Sequence, residues 1–98
     1  MRNYTIIIPI YNEEKSIPSL LDNLKLYIKN DNEIIIIDDG STDSSNQILK
    51  KNKKINLIQL KNNKGKGYAI RKGLRKAINK KIIIFDGDLE IHTDEIKK

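Results

Sequence analysis

The sequence contains no cysteine, and its aromatic residues are limited to one phenylalanine and four tyrosines. The absence of cysteine excludes a disulfide framework and any thiolate metal site. So few aromatic side chains cannot form the stacking platform on which single-stranded nucleic acids bind. We therefore expect no nucleic-acid partner and no sulfur-ligated metal.

Long apolar runs are also missing, and none approaches the roughly 20 residues that a membrane-spanning helix requires. The apolar run behind Arg2 is too short for a secretory signal peptide, and it leads directly into the polar stretch "PIYNEE". These features predict a cytoplasmic protein.

Basic residues outnumber acidic ones, with 19 Lys and Arg against 13 Asp and Glu, which gives a formal net charge of +6. Such a balance can indicate nucleic acid or an anionic membrane surface as a partner. However, lysine, asparagine and isoleucine are abundant while valine is absent, which is typical of codon bias in an AT-rich genome. The lysines are spread along the chain in short clusters such as residues 50–54, so the charge excess by itself assigns no partner.

The length of 98 residues is sufficient for one small domain. Helical patterns separate the predicted strands, and a last helix is predicted to begin near Thr93. Strands alternating with helices predict a parallel sheet with right-handed crossovers, and therefore an α/β fold with flanking helices. The predicted strands are residues 4–10, 33–37, 55–60 and 81–85.

The second strand contains four consecutive isoleucines, without the alternation of a strand that is half exposed to water. It is therefore expected to be buried on both faces, with residues 34 and 36 on one side and residues 35 and 37 on the other.

Polar segments follow all four predicted strands: "PIYNEE", "DDGSTD", "KNNKGKG" and "DGDLE". The carboxyl ends of parallel strands meet at one edge of a sheet, where ligands bind in open α/β folds. We therefore expect Asp38 and Asp39 to lie beside Asp86 and Asp88.

The spacing of Asp86 and Asp88 can direct two carboxylates at one hard cation, and Mg²⁺ and Mn²⁺ favour such oxygen ligands. The alternative is an ordinary polar turn after a strand, where Asp-Gly is common. The segment "KNNKGKG" has a similar ambiguity, because a basic loop with glycines before a helix is either an anion site or a flexible connection.

In "DDGSTD", Gly40 is predicted to form the turn, and Ser41 or Thr42 is predicted to cap the following helix. Asp39 or Asp43 can favour the start of that helix. Asp38 ends a buried strand, and an acid in that position can accept hydrogen bonds from a ribose or from a base N–H.

The motifs "IIIPIYNEE", "IIIIDDGSTD", "NKGKGYAIRKG" and "FDGDLE" occur in this order and together resemble the donor-binding half of family 2 glycosyltransferases, which have the GT-A fold. Among subfamilies, they look most similar to the polyprenyl-phosphate sugar transferases, such as dolichyl-phosphate mannose or glucose synthases. The resemblance implies an enzyme of glycan or cell-envelope biosynthesis that uses a nucleotide-diphosphate sugar.

The resemblance also implies roles for individual positions in the nucleotide-sugar site. Tyr11 is expected near the base, and Ile36 and Asp38 are expected at the base or ribose end. The full set implied for this site is Pro9, Tyr11, Glu13, Ile36, Asp38, Asp86, Gly87 and Asp88.

The resemblance assigns the divalent metal, Mg²⁺ or Mn²⁺, to Asp86 and Asp88, which would hold the diphosphate through it. Gly87 stands where alanine is common and keeps the backbone close to the nucleotide. Glu90 occupies a position where many relatives carry glutamine, and it can supply a third oxygen ligand.

The resemblance further implies that residues 1–98 are a partial domain and that a C-terminal half supplies the acceptor contacts and any catalytic base. We therefore expect no catalytic residue within the chain and no sugar transfer by the chain alone. The expected acceptor is a polyprenyl phosphate at the cytoplasmic face of a membrane, or a saccharide. The alternative is a module that binds nucleotides without catalysis, in a regulatory role.

Overall fold

The computed structural model describes the backbone of residues 3–86 and 89–93 and the side chains of residues 3–85. Strands and helices alternate up to the fourth strand, as the sequence predicts. In chain order the elements are β1 (Tyr4–Ile10), α1 (Ile17–Lys29), β2 (Glu33–Asp38), α2 (Ser45–Lys50), β3 (Asn56–Gln59), α3 (Lys66–Lys76), β4 (Lys81–Asp86) and β5 (Leu89–Thr93).

The strands form one sheet in the order β3-β2-β1-β4-β5. The pairs β1–β2, β1–β4 and β2–β3 are parallel, so the predicted parallel sheet is confirmed, with each strand boundary within one residue of its predicted place. The strand β5 was not predicted, and it pairs with β4 in the antiparallel direction. The predicted helix near Thr93 concerns residues 94–98, which lie outside the described part of the chain.

The isoleucine run of β2 is buried on both faces, as predicted. Ile34 and Ile36 belong to one apolar cluster, which includes residues of α1 and α2. Ile35 and Ile37 belong to a second cluster on the opposite face, to which α3 contributes Ala69. The sheet therefore carries two helices on one face and α3 on the other.

The contact between α3 and the sheet depends on Gly73. A Cβ atom at this position would lie 2.9 Å from the Ile37 Cδ1 atom and 2.9 Å from the Ile7 Cγ2 atom, which is closer than carbon atoms approach. Glycine therefore lets the helix backbone rest directly on the two strands, at some cost in helix propensity. None of the described helices is long and apolar enough to cross a membrane.

A polar network fastens the amino edge of the sheet, opposite the edge expected to bind ligands. The buried Thr5 hydroxyl donates to Glu33 Oε1 at 2.7 Å, and the backbone N–H of Ile78 donates to the same oxygen at 2.9 Å. The Asn79 backbone N–H donates to Thr5 Oγ1 at 3.3 Å. These bonds join β1, β2 and the segment that enters β4, so this edge is held internally.

We predict that Gly73→Ala destabilises the protein, by about 1 kcal/mol net. Overpacking a well-filled core costs about 1–3 kcal/mol, and the gain in helix propensity offsets up to about 1 kcal/mol of it. Gly67→Ala is the matched control in the same helix, because its Cβ would meet only the Arg71 Nη1 atom at 3.5 Å. Urea unfolding should show a loss for Gly73→Ala and equal or higher stability for Gly67→Ala. Equal effects at both positions would contradict the packing argument.

Candidate nucleotide site at the carboxyl edge of the sheet

The strand order reverses at β1, because the chain continues to β2 on one side and to β4 on the other. The ladder between β1 and β4 ends at the pair Ile7–Ile84, whereas the ladder between β1 and β2 continues to Ile10–Asp38. Pro9 lies beyond the last β1–β4 pair and has no N–H with which to extend that ladder. In open parallel sheets a crevice at such a reversal is the usual place for a ligand.

Three loops lie at this edge: L1 (residues 11–16), L2 (residues 39–44) and L3 (residues 60–65). Asn12 fastens L1 to L2 through its side-chain oxygen Oδ1, which accepts the backbone N–H groups of Thr42 at 2.7 Å and Asp43 at 3.2 Å. Its own backbone N–H donates to Ser41 Oγ at 2.9 Å. Asn12 has a positive φ of 51°, a conformation that asparagine tolerates better than most residues. L1 and L2 are therefore one connected unit.

Asp43 adds a second set of bonds between the same loops. Its carboxylate accepts the backbone N–H of Ser45 at 2.9 Å and that of Glu14 at 3.2 Å. Desolvation raises the pKa of the Asp43 carboxyl, but hydrogen bonds from the side chain and backbone of Ser45 and from the backbone of Glu14 outweigh it and lower the pKa below its ordinary value. The prediction that Asp43 supports the start of α2 agrees with this geometry.

Another prediction about L2 is wrong. The N-cap residue of α2 is Ser44, which makes no side-chain capping bond, so neither Ser41 nor Thr42 caps the helix. The Ser41 hydroxyl accepts the bond from Asn12 instead. Of the two acids considered for the start of α2, Asp43 takes that position, whereas the bonds of Asp39 connect it to L3.

The side chain of Asp39 is buried and holds L3 against L2. Its two carboxylate oxygens accept the backbone N–H groups of Lys64 at 2.7 Å and Gly65 at 3.0 Å. Its backbone N–H donates to the Ile10 carbonyl oxygen at 2.8 Å, and its carbonyl oxygen accepts the Asn63 side-chain amide at 3.3 Å. The sequence suggested the loop before α3 as a site for an external anion. In the structure the side chain of Asp39 accepts the N–H groups of Lys64 and Gly65 there.

Gly40 allows L2 and L3 to approach closely. It has a φ of +76°, and a Cβ atom there would lie 2.6 Å from the backbone carbon of Asn62 and 2.6 Å from the backbone nitrogen of Asn63. Gly40 therefore forms the turn, as predicted. It also leaves room for the backbone of L3, with which any side chain at this position would collide. The three loops form one connected rim above the strand ends.

Asp38 ends β2 beneath this rim and is completely buried. Its Oδ1 atom accepts the backbone N–H of Ser41 at 2.9 Å, but its Oδ2 atom is buried and has no hydrogen-bond partner among the described residues. The Nδ2 atom of Asn46, in the first turn of α2, is likewise buried without a partner. A buried polar atom without a partner costs about 1–3 kcal/mol, and native structures rarely contain one without a reason.

The remaining predicted site residues lie at different depths. Tyr11 is 45% exposed in L1, Glu13 is exposed nearby, and Pro9 is half-buried in β1. Ile36 does not reach the loops, because its side chain is completely buried in the core cluster that also contains Ile34. The edge thus combines an exposed aromatic ring with a buried acid.

The metal-binding prediction concerns the end of β4. The backbone of Asp86 is described as the last residue of that strand, while Gly87 and Asp88 lie outside the described residues. Among the residues whose side chains are described, no three histidine, aspartate or glutamate side chains form a metal-binding group. The pair Asp86 and Asp88 stays a prediction.

Sequence reasoning missed two residues that organise this edge. Asn12 was not singled out at all, although asparagine after a strand is a frequent choice at positive φ. Asp39 was noticed, but its partners Lys64 and Gly65 are 25 and 26 positions away, and sequence spacing carries no signal for such a contact.

A parallel sheet whose strand order reverses beneath three polar loops is an architecture that binds nucleotides in many α/β domains. The family model for glycosyl transferase family 2 matches residues 5–98. The chain belongs to this family.

The chain is similar to the dolichyl-phosphate beta-glucosyltransferase of Homo sapiens, with 30% identity over 99% of the chain and 34% of that protein. It is 33% identical to the undecaprenyl-phosphate 4-deoxy-4-formamido-L-arabinose transferase of Pectobacterium carotovorum, over 100% of the chain and 32% of that protein. The chain therefore spans about a third of the length of these curated relatives.

Among solved structures, the fold matches the mannosyltransferase PcManGT from Pyrobaculum calidifontis in complex with GDP-Man and Mn²⁺. The TM-score is 0.72 and the identity 27%, over 88% of this chain and 27% of that one. The predicted GT-A fold is thereby confirmed for this chain.

We predict that Gly40→Ala destabilises the rim more than Gly65→Ala. Both glycines have positive φ, so either alanine adds backbone strain of about 1–3 kcal/mol. Only at Gly40 does the new Cβ also collide with backbone, which adds about 1–3 kcal/mol of overpacking. Thermal unfolding of the two variants measures the difference. Equal losses would show that the approach of L3 to L2 contributes nothing.

The bonds of Asp43 predict a loss of stability in acid. Because the pKa of Asp43 is lowered in the folded protein, its contribution is complete above the unfolded value of about 4 and disappears as the pH falls through the folded pKa. Asp43→Asn should therefore lower the Tm near neutral pH, and the difference in Tm from the wild type should disappear once the pH is below the folded pKa of Asp43. Asp22→Asn, at an exposed acid of α1, is the control. A gap for Asp43→Asn that is constant with pH would contradict this role.

Proposed function

We propose that the chain is the donor-binding part of a glycosyltransferase and that it binds a nucleotide-diphosphate sugar at the carboxyl edge of the sheet. The whole protein would transfer the sugar to a polyprenyl phosphate at the cytoplasmic face of a membrane, or to a saccharide. Family membership supports the reaction class, and the names of the relatives, which act on dolichyl and undecaprenyl phosphates, support the lipid acceptor.

The observation that carries the proposal is the unpaired Oδ2 atom of Asp38. No group in the described part of the chain donates to this atom, which leaves room for a donor from a water molecule or a ligand. A ribose hydroxyl or a base N–H has the required donor, and both belong to a nucleotide. Because Asp38 has no exposed surface, a nucleotide reaches it only when the loops above it shift.

The neighbouring residues fit the same ligand. Tyr11 is nearly half exposed and presents an aromatic face on which a base can stack. Pro9 lies just beyond the point where the ladder between β1 and β4 stops, and Glu13 lies exposed in the adjoining loop. Ile36 contributes from below, by filling the core beneath the strand ends.

Asp86 and Asp88 would hold Mg²⁺ or Mn²⁺, since paired carboxylates are the oxygen ligands these ions favour, and Gly87 would keep the backbone between them close to the diphosphate. When bound, the ion supplies charge neutralisation of the leaving diphosphate. The presence of Mn²⁺ with GDP-Man in the PcManGT structure supports this assignment.

Asp38→Asn separates a binding role from a structural one. Asparagine keeps the size of the side chain and removes the buried unpaired carboxylate oxygen, so the Tm of the ligand-free variant should equal or exceed that of the wild type. In the presence of Mn²⁺ and UDP or GDP, the wild type should be stabilised and the variant should not. The NH₂ group of asparagine would replace the carboxylate oxygen and could not accept a hydrogen bond from the nucleotide. Differential scanning fluorimetry measures both effects.

Asp22→Asn is the matched control, because it removes a carboxylate from the exposed side of α1, where Asp22 pairs with Lys25 at 3.0 Å. It should keep the full ligand-induced shift. An equal shift in wild type and Asp38→Asn would show that Asp38 serves the fold alone. No shift in the wild type with either nucleotide would count against the proposed donor site as a whole.

A further inference from the structure

The charges of the chain are segregated, although the lysines are spread. Residues 59–85 contain nine basic residues and no acidic one. The rest of the chain therefore has 10 basic and 13 acidic residues, a formal charge of −3, so this one segment accounts for the entire positive balance. Codon bias enriches lysine everywhere, but it does not remove acids from a single segment.

The centre of this segment is α3, with five basic residues and no acid among its 11 residues. Gly73 faces the sheet, and residues two positions before and after it lie about 200° around the helix, on the side directed away from the sheet. Arg71 and Arg75 occupy these two positions, and both are exposed. The outward side of α3 is therefore cationic.

Neither arginine has an ion-pair partner among the residues whose side chains are described. Two like charges four positions apart destabilise a helix slightly, by about 0.2–0.5 kcal/mol. On α1, by contrast, Lys25 pairs with Asp22. The helix α1 thus carries mixed charge, while Arg71 and Arg75 of α3 remain available to an external anion.

An exposed apolar side chain adjoins the cationic surface. Ile78 follows α3 and is 79% exposed, between the exposed residues Lys76 and Lys80. Its position is fixed, since its backbone N–H donates to Glu33 Oε1. Basic side chains around an exposed isoleucine are the combination that binds an anionic lipid surface, through headgroup charge and shallow insertion.

The same surface is poorly suited to nucleic acid. The one aromatic residue of α3 is Tyr68, which is half-buried, and the Lys72 Nζ atom lies 5.9 Å from its ring centroid. That ring is therefore not free to stack on a base, whereas stacking supplies much of the affinity for single strands. The observations favour a lipid surface.

We propose that the outward side of α3, together with Ile78, docks the protein on an anionic lipid bilayer. Because α3 begins after L3 and ends before β4, it lies along the sheet from the carboxyl edge to the amino edge. A bilayer against the outer side of α3 would place the carboxyl edge of the sheet beside the lipid headgroups. The strand ends at that edge would then point parallel to the membrane surface. The inference rests on the proposed lipid-linked function. Its test measures binding to lipid vesicles and requires no nucleotide, so the two proposals can fail separately.

The experiment measures co-sedimentation of the chain with phosphatidylcholine vesicles that contain phosphatidylglycerol, and with vesicles of phosphatidylcholine alone. The wild type should bind the first and not the second, and binding should weaken at high salt. Arg71→Gln with Arg75→Gln should lower the partition coefficient about 30-fold, since each basic residue near an anionic membrane contributes about 1 kcal/mol. Ile78→Ser should lower it about tenfold, through lost insertion of an apolar side chain.

The matched control is Lys29→Gln with Lys50→Gln, which removes the same charge from exposed positions on α1 and α2, on the opposite face of the sheet. It should bind like the wild type, and circular dichroism should show all variants folded. Equal losses in both double variants would overturn the proposal in favour of net charge alone. So would failure of the wild type to bind anionic vesicles, or tighter binding to a single-stranded RNA at equal salt.

Discussion

The carboxyl edge of the sheet depends on the buried carboxylate of Asp39. Its four polar atoms bond to the end of β1 and to three successive residues of L3, so one residue connects two loops and a strand. Burying an acid costs free energy unless its oxygens have donors, and here the backbone N–H groups of Lys64 and Gly65 supply one to each oxygen. These carboxylate bonds add to the close approach of L3 at Gly40 in setting the position of L3 relative to L2.

Adjacent acids at the end of β2 therefore have different roles. Alternation along a strand directs Asp38 and Asp39 to opposite faces of the sheet. Asp39 faces the side covered by α3 and has a donor for both oxygens, whereas Asp38 faces the side of α1 and α2 and keeps one oxygen unpaired. The internal bonds connect the loops of the rim, and the unpaired oxygen marks the place where a ligand would complete the structure.

The sequence was sufficient for the parallel sheet, because unbroken apolar runs and helical spacing are local signals with a direct physical meaning. The strand β5 was missed although "LEIHT" alternates apolar and polar residues, because five residues are a short signal and a helix was expected to begin near Thr93; its pairing with β4 defines it. At the edge, Gly40 and Asp38 were identified from their place after a strand. The role of Asn12 and the partners of Asp39 depend on contacts between loops that are distant in the sequence. These contacts form only when the sheet brings the strand ends together.

The strand order also has a consequence for synthesis, which proceeds from the N-terminus. The central strand β1 is made first, and its neighbour β2 follows within about 30 residues, but its other neighbour begins only at Lys81. Until then, one side of β1 has unpaired backbone groups beside Ile6 and Ile7. The emerging chain therefore carries an open, apolar edge on β1 until β4 has been made, and closing that edge is the last step in joining the four parallel strands.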